Sequence, residues 1–451
     1  MTWTTLTMQV TTPLFNGGAE AGTAAPDLDG VRVASIRGAM RFWFRALAGA
    51  LTGPDLRLLG ALERRVFGGI GDEGAGGASA SPLLLRISRQ PAVVLPAGPH
   101  SFLPSPALPL KDRRQDDSRW VLYLMGQGLA DLGHVEIRRP YVKDGEEFEL
   151  KVGFRHLRHE DAESRAAIEA LAMASLWLAC VYGGFGARTR RGFGGVRIIG
   201  ASGADLPESW AEGGALMTPG LEYYTPLRMI WPGGPIAACM RYLSTLARGT
   251  RLNPRAWEGI PTFPVLSRSH APAGISGGKP FLSWEDALMH AGEQLRHFRA
   301  AQPNARPDAH YQPLIETPEW ITTVRGRDSR YPVGALGLPV GMKDDYVANA
   351  DGEDTAEPAR RASPLWIRAV GSGREWRLFS FAFQAGFLPG GAHLWRNGMR
   401  GKELKVTNND VKRQTDQWIT ALRADKTFVP YRHDDGTIGP DERRSTGELR
   451  R

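Results

Sequence analysis

Residues 182–197 constrain this chain more than any other stretch. They hold six glycines (Gly183, Gly184, Gly186, Gly192, Gly194, Gly195) and four arginines (Arg188, Arg190, Arg191, Arg197), with no acidic residue. Glycine accepts positive φ and lets a second chain come close, so the segment is built as a tight loop. Arginine brings planar, permanently charged donors that fit phosphate oxygens. An apolar run with helical spacing (Ile168, Leu171, Ser175, Leu178) leads in, and the β-like run Val196 to Ile199 leads out. The order helix–loop–strand is the reverse of the dinucleotide fingerprint, and the lysine of a phosphate-binding P-loop is missing. Both of those functions are set aside. A loop that grips a nucleic-acid backbone remains, with Gly184, Gly186, Arg188, Arg190, Arg191, Gly192 and Phe193 as its candidate contacts and Phe185 and Phe193 able to stack or to pack beneath it.

The rest of the first 200 residues supplies a frame. Thr5 to Thr11 alternates Leu6, Met8 and Val10 with polar residues, the period of a half-buried strand. Ser35 is placed to cap a helix whose apolar face carries Ile36, Met40, Trp43, Phe44 and Leu47. Arg37, Arg41 and Arg45 recur every four residues and form one stripe along it. No glutamate stands at the facing i,i+4 positions, which argues against a merely solvated face. Gly38 lowers helix propensity where a close approach to the backbone would need it. Gly68 and Gly69 follow Arg64 and Arg65 in a second basic turn. Pro82 to Ser88, Trp120 to Met125 and Phe148 to Phe154 read as strands. With one strand assigned to an insertion, the order is the βαββαβ of a ferredoxin-like, RRM-shaped domain.

Beyond Met217 the periodicity weakens. Helices are expected at 236–246, 283–299 and 408–422, and a hairpin at 364–387 around Gly371 and Gly373. Residues 89–118 read as a surface insertion and 344–361 as an acidic, mobile loop. The fold class is α+β: two ferredoxin-like domains with inserted loops, at 1–215 and 216–431, and a frayed tail at 432–451.

Composition narrows the partners. A formal charge of +8 and a pI near 9.6 favour a polyanion. Only two cysteines occur, Cys180 and Cys239, far apart in the chain. That usage points to a reducing cytoplasm and away from a disulfide scaffold. The sequence shows no basic-then-apolar leader and no long uncharged apolar run, so neither secretion nor a membrane partner is expected. No metal or other cofactor is implied. His156, His159 and Glu160 lack metal-ligand spacing, His290 and His297 share a helix face suited to packing, and Trp43 and Trp177 fit a core. The inventory suits binding better than catalysis.

Several of these residues resemble a known family. The run Thr12, Pro13, Leu14, Phe15, Asn16, Gly17, Gly18, then Ser35 to Gly38 and Arg41 to Arg45, then Phe67 to Gly69, resembles the opening of subunit one of the Cmr complex, the type III-B CRISPR effector of the RAMP superfamily. The loop at 183–194 is similar to that superfamily's glycine-rich loop, and Gly337 to Val340 and Ala362 to Leu365 resemble patterns of its second half. The segments at 89–118 and 344–361 depart from it. The resemblance implies a non-catalytic RNA-binding subunit at the 3′ end of guide (crRNA), helping to receive target RNA beside other RAMP subunits in antiviral defence. The alternative is a metal-independent endoribonuclease of the same fold that processes guide RNA, for which His134, His156 and Tyr182 are the candidate acid–base groups.

Overall fold

The computed structural model describes residues 2–16, 30–70, 78–95, 100–105, 116–126, 129–131, 136–156, 159–203, 237–248, 257–300, 323–324, 326–342, 345–349, 360–388, 390–396 and 399–427. The chain divides into two compact units, one formed by residues 1–98, 128–130 and 136–269, the other by 99–127, 131–135 and 270–451. The expected domain boundary at 215/216, His134 and the expected tail at 432–451 lie outside the described residues.

The first unit begins with β1 (Trp3–Val10), whose Leu6, Met8 and Val10 are fully buried as their alternation requires. Helix α1 (Val33–Thr52) follows, then α2 (Leu56–Phe67), capped by the Asp55 carboxylate, which accepts from Arg57 N and Leu58 N. Helix α1 starts two residues before Ser35, with Arg32 at the cap position and no side-chain cap. The Ser35 hydroxyl instead lies 3.5 Å from Asn16 Oδ1. Strand β2 (Leu83–Arg89) comes next, followed by the short β3 (Val93–Val94). Arg119–Met125, expected as a strand, is helix α3 and belongs to the second unit. The first unit resumes with β4 (Tyr141–Val142), which pairs with β3, and β5 (Glu147–Phe154). It continues through α4 (Ala162–Leu178), β6 (Val196–Ser202) and α5 (Ala237–Ala247).

The main sheet has the order β2–β5–β1–β6, antiparallel throughout. The register places Leu6 opposite Leu150 and Met8 opposite Phe148, all four buried on one face. The sheet's four strands are thus met in sequence as strand, two helices, strand, strand, helix, strand, with the first and third strands central. Helix α4 runs on through a π-type turn, Ala179–Gly183. Residues 162–183 are long and apolar enough to cross a membrane by length and composition, but 83% of that window is buried inside the protein. Cys180 and Cys239 are both buried and outside any disulfide, and burial pushes the Cys239 thiol up to about 12.

In the second unit, β7 (Ala273–Ile275), β10 (Leu365–Ser372) and β11 (Glu375–Ala382) form a sheet of order β10–β11–β7. A second sheet has the order β8–β9–β12–β13, from Val340–Met342, Asp345–Asn349, Ala392–Arg396 and Met399–Leu404. Strand β9 corrects the expectation of a mobile loop at its start. It lies between two partners, and Val347, opposite Leu394, is fully buried. Helices α6 (Trp284–Ala300) and α7 (Asn408–Arg423) complete the unit. Thr407 and Asp410 form a capping box on α7.

Candidate nucleic-acid interface

Helix α1 buries Ile36, Met40, Trp43, Phe44 and Leu47 and leaves the arginine stripe at the border of that face. The stripe is not simply solvated. Arg41 Nε donates to Glu63 Oε1 at 2.6 Å, and Arg45 donates Nε to Oε2 at 2.6 Å and Nη2 to Oε1 at 2.8 Å. Glu63 comes from α2 and is 7% exposed. Burial opposes its ionisation, yet the hydrogen bonds from Arg45 and Arg41 outweigh that and hold its carboxyl below the ordinary range. The same bond raises the Arg45 guanidinium, whereas burial and the neighbouring Arg41 lower Arg37. Arg37 Nη2 donates to the Leu83 carbonyl at 3.3 Å, at the start of β2. The Arg45 side chain stays half exposed and that of Arg41 about one-third exposed. Gly38 is exposed beside the stripe, and a Cβ there would meet no described atom within 4 Å.

The turn at Gly68 and Gly69 ends α2 and adjoins the stripe. Arg41 Nη2 donates to the Gly68 carbonyl at 3.3 Å, and Gly69 exchanges backbone hydrogen bonds with Ser79 at 3.0 and 2.8 Å. Gly68 has φ +71, and a Cβ on it would sit 2.5 Å from the Ser81 nitrogen. Its need for glycine is therefore internal.

The glycine loop is stitched to the segment after β1. Thr11 N donates to the Gly195 carbonyl (2.8 Å), Gly194 N to the Pro13 carbonyl (2.9 Å) and Ala187 N to the Phe15 carbonyl (2.7 Å). Gly195 N donates to the Thr12 hydroxyl at 2.8 Å. A Cβ on Gly184 would lie 2.7 Å from the Gly194 carbonyl oxygen, and one on Gly186 would overlap that of Phe15. Gly184, Gly186, Gly192 and Gly194 all have positive φ. The close approach that these glycines permit is thus largely to the protein's own backbone. Phe193, expected as an RNA contact, is 1% exposed and packs edge-on against Phe15 at 5.6 Å. It is a core residue of the loop, as is Phe185, and neither ring face is available to a base. Arg188 is exposed with φ +60, while Arg190 and Arg191 are partly exposed. Arg197 is tied to Gln9 on the sheet.

The stripe and the Gly68–Gly69 turn therefore form one cluster. The loop meets α1 elsewhere, where Gly183 packs against the Trp43 indole, while the segment after β1 reaches the start of α1 through Asn16 and Ser35. Sequence reasoning missed Glu63 because it missed α2, although Leu58, Leu59, Leu62 and Val66 carry a helical period behind the capping Asp55. Of the candidate acid–base groups, Tyr182 is 1% exposed between Trp43 and Trp177, and His156 is exposed just beyond the end of β5.

Residues 7–197 match the family model of the RAMP superfamily. That stretch is therefore similar to the RAMP superfamily. Among curated relatives, the Cmr subunit Cmr1-1 of Pyrococcus furiosus is 30% identical over 172 residues, 38% of this chain and 41% of that protein. The chain thus aligns with less than half the length of Cmr1-1. Cmr1-2 of the same organism is 27% identical over 213 residues, 42% of this chain and 92% of that protein. Among solved structures, apo Cmr1 from Pyrococcus furiosus is similar with a TM-score of 0.49 at 20% identity, over 86% of this chain and 90% of that one. A chain of the type III-B Cmr-beta complex bound to cognate target RNA gives a TM-score of 0.44 at 11% identity, over 93% and 99%.

Proposed function

We propose that this chain is a non-catalytic RNA-binding subunit of a type III-B CRISPR ribonucleoprotein. It holds the backbone of guide RNA near the 3′ end and helps to receive target RNA beside other RAMP subunits, in the cytoplasm and without a cofactor. One observation carries the reading. In a loop where Gly184, Gly186, Gly192 and Gly194 take the positive-φ positions, the remaining one is taken by an exposed arginine, Arg188. Left-handed backbone costs an L-residue roughly 1–2 kcal/mol, and such strain is kept where the side chain has a use. Guide–target pairing reads sequence, so the protein's share is backbone and shape. Arginines held on a rigid loop and on a helix suit that share. The ferredoxin-like reading of both units belongs to this proposal, supported in the first by its strand order and, in the second, by family patterns alone.

The endoribonuclease alternative is weakened by the burial of Tyr182 against Trp43. The test is a salt titration of the full chain on labelled single-stranded RNA. Backbone binding gives an affinity that falls linearly with salt on logarithmic axes, by about 0.7 in slope per phosphate neutralised. A flat dependence overturns the reading, and cleavage of the RNA in EDTA overturns its non-catalytic part.

A further inference from the structure

The arginine stripe has a keeper. We infer that Glu63 is a positioning residue for RNA contact: its carboxylate fixes the guanidinium planes of Arg41 and Arg45 so that their outer edges face one backbone. The inference rests on the RNA-binding reading above. Its ground is the geometry of the triad. One carboxylate, 7% exposed and supplied by a different helix, engages two arginines four residues apart through three short hydrogen bonds. Arg45 uses the fork of Nε and Nη2, a bidentate pairing that fixes orientation as well as distance. Arg41 is held twice, by Glu63 through Nε and by the Gly68 carbonyl through Nη2. Two long side chains that would otherwise sample many rotamers are thus ordered before any ligand arrives, which removes part of the entropic cost of binding. Glu63 itself is held on a helix anchored at its start by Asp55 and buried through Leu58, Leu59, Leu62 and Val66.

Charge and positioning predict opposite signs, which makes the inference testable. Glu63→Gln keeps the shape and removes a negative charge beside the stripe. Electrostatics alone then predicts tighter RNA binding. Positioning predicts weaker binding, by about tenfold, the loss expected when one charge-assisted hydrogen bond is misplaced. The experiment measures the full chain and its variants on a fluorescein-labelled single-stranded RNA by anisotropy, with circular dichroism to verify folding. Arg45→Lys, which keeps the charge but lacks the fork, is expected to weaken binding in the wild-type background and to add little to Glu63→Gln. A folded Glu63→Gln variant that binds as tightly as wild type, or tighter, overturns the inference. If that variant does not fold, an unchanged affinity for Arg45→Lys overturns it. A wild-type chain that does not bind RNA at all counts against the RNA reading instead, and is told apart by the wild-type titration.

Discussion

Replacing Arg188 by glycine separates stability from binding. The described residues include two non-glycine positions with positive φ, Arg188 at +60° and Asp425 at +52°. Asp425 follows the last helix turn and is of a type that tolerates this region, whereas arginine is not. Arg188→Gly removes a conformational cost of roughly 1–2 kcal/mol and adds back about 0.5–1 kcal/mol of unfolded-state freedom. The net gain is about 0.5–1 kcal/mol, or a Tm higher by about 1–4 °C for a unit of this size. The same change removes one guanidinium from the loop. RNA affinity is expected to fall about tenfold, the scale of one charge-assisted hydrogen bond, and the salt slope to become shallower by about 0.7. Thermal unfolding followed by circular dichroism and anisotropy at several salt concentrations read the two effects independently. Unchanged affinity and slope would remove Arg188 from the interface. A lowered Tm would refute the strain argument and show that the side chain holds the loop together.

Three further outcomes follow from the same geometry. Gly186→Ala places a methyl group into the Phe15 carbonyl at φ +85 and is expected to cost about 2 kcal/mol or more, read as a lowered denaturation midpoint. Phe193→Ala empties a fully buried site beside Phe15. Its expected cost is about 3–5 kcal/mol, so a variant that unfolds normally but loses RNA affinity would restore Phe193 as a base-stacking residue. Because the Glu63 carboxyl sits below its ordinary value of 4.5 in the folded state, the stability it contributes is complete above that value and is lost as pH falls through the lowered one. The Tm difference between wild type and Glu63→Gln should therefore shrink on acidification below about pH 4.5, and a difference that stays constant would mean that Glu63 is not ionised in its arginine pair.

The sheet of the first unit was legible because it obeys period two with one solvated face. Leu6, Met8 and Val10, then Phe148, Leu150 and Val152, point inward as their spacing demands. Where the apolar run lacks a period, the sequence misleads. Val121, Leu122, Leu124 and Met125 form four buried positions in a run of seven residues, which suits a buried strand and a short helix equally. Packing against α6 decides for the helix, and Gly292, where a Cβ would overlap the Trp120 carbonyl, gives it room. Strand β9 was hidden for a different reason. Its composition is that of a loop, and its order comes from the flanking strands β8 and β12, whose influence no local window records.

The arginine stripe shows where a sound local argument stops short. The lack of i,i+4 glutamates on α1 does exclude a solvated ladder of intrahelical pairs. It says nothing about a partner delivered by the next helix, 18 residues beyond Arg45 in the case of Glu63. That partner changes what the stripe can do. Three arginines and one ionised carboxylate leave two net charges, since 3 − 1 = 2. Counted as free cations, the stripe would contribute about 2.1 to the slope of affinity against salt, and counted with Glu63 about 1.4. The carboxylate therefore lowers the long-range attraction while fixing the direction of the charges that remain. On the RNA-binding reading proposed above, a site built this way gives up some affinity for any polyanion in favour of one with phosphates at the spacing that the two guanidinium planes present.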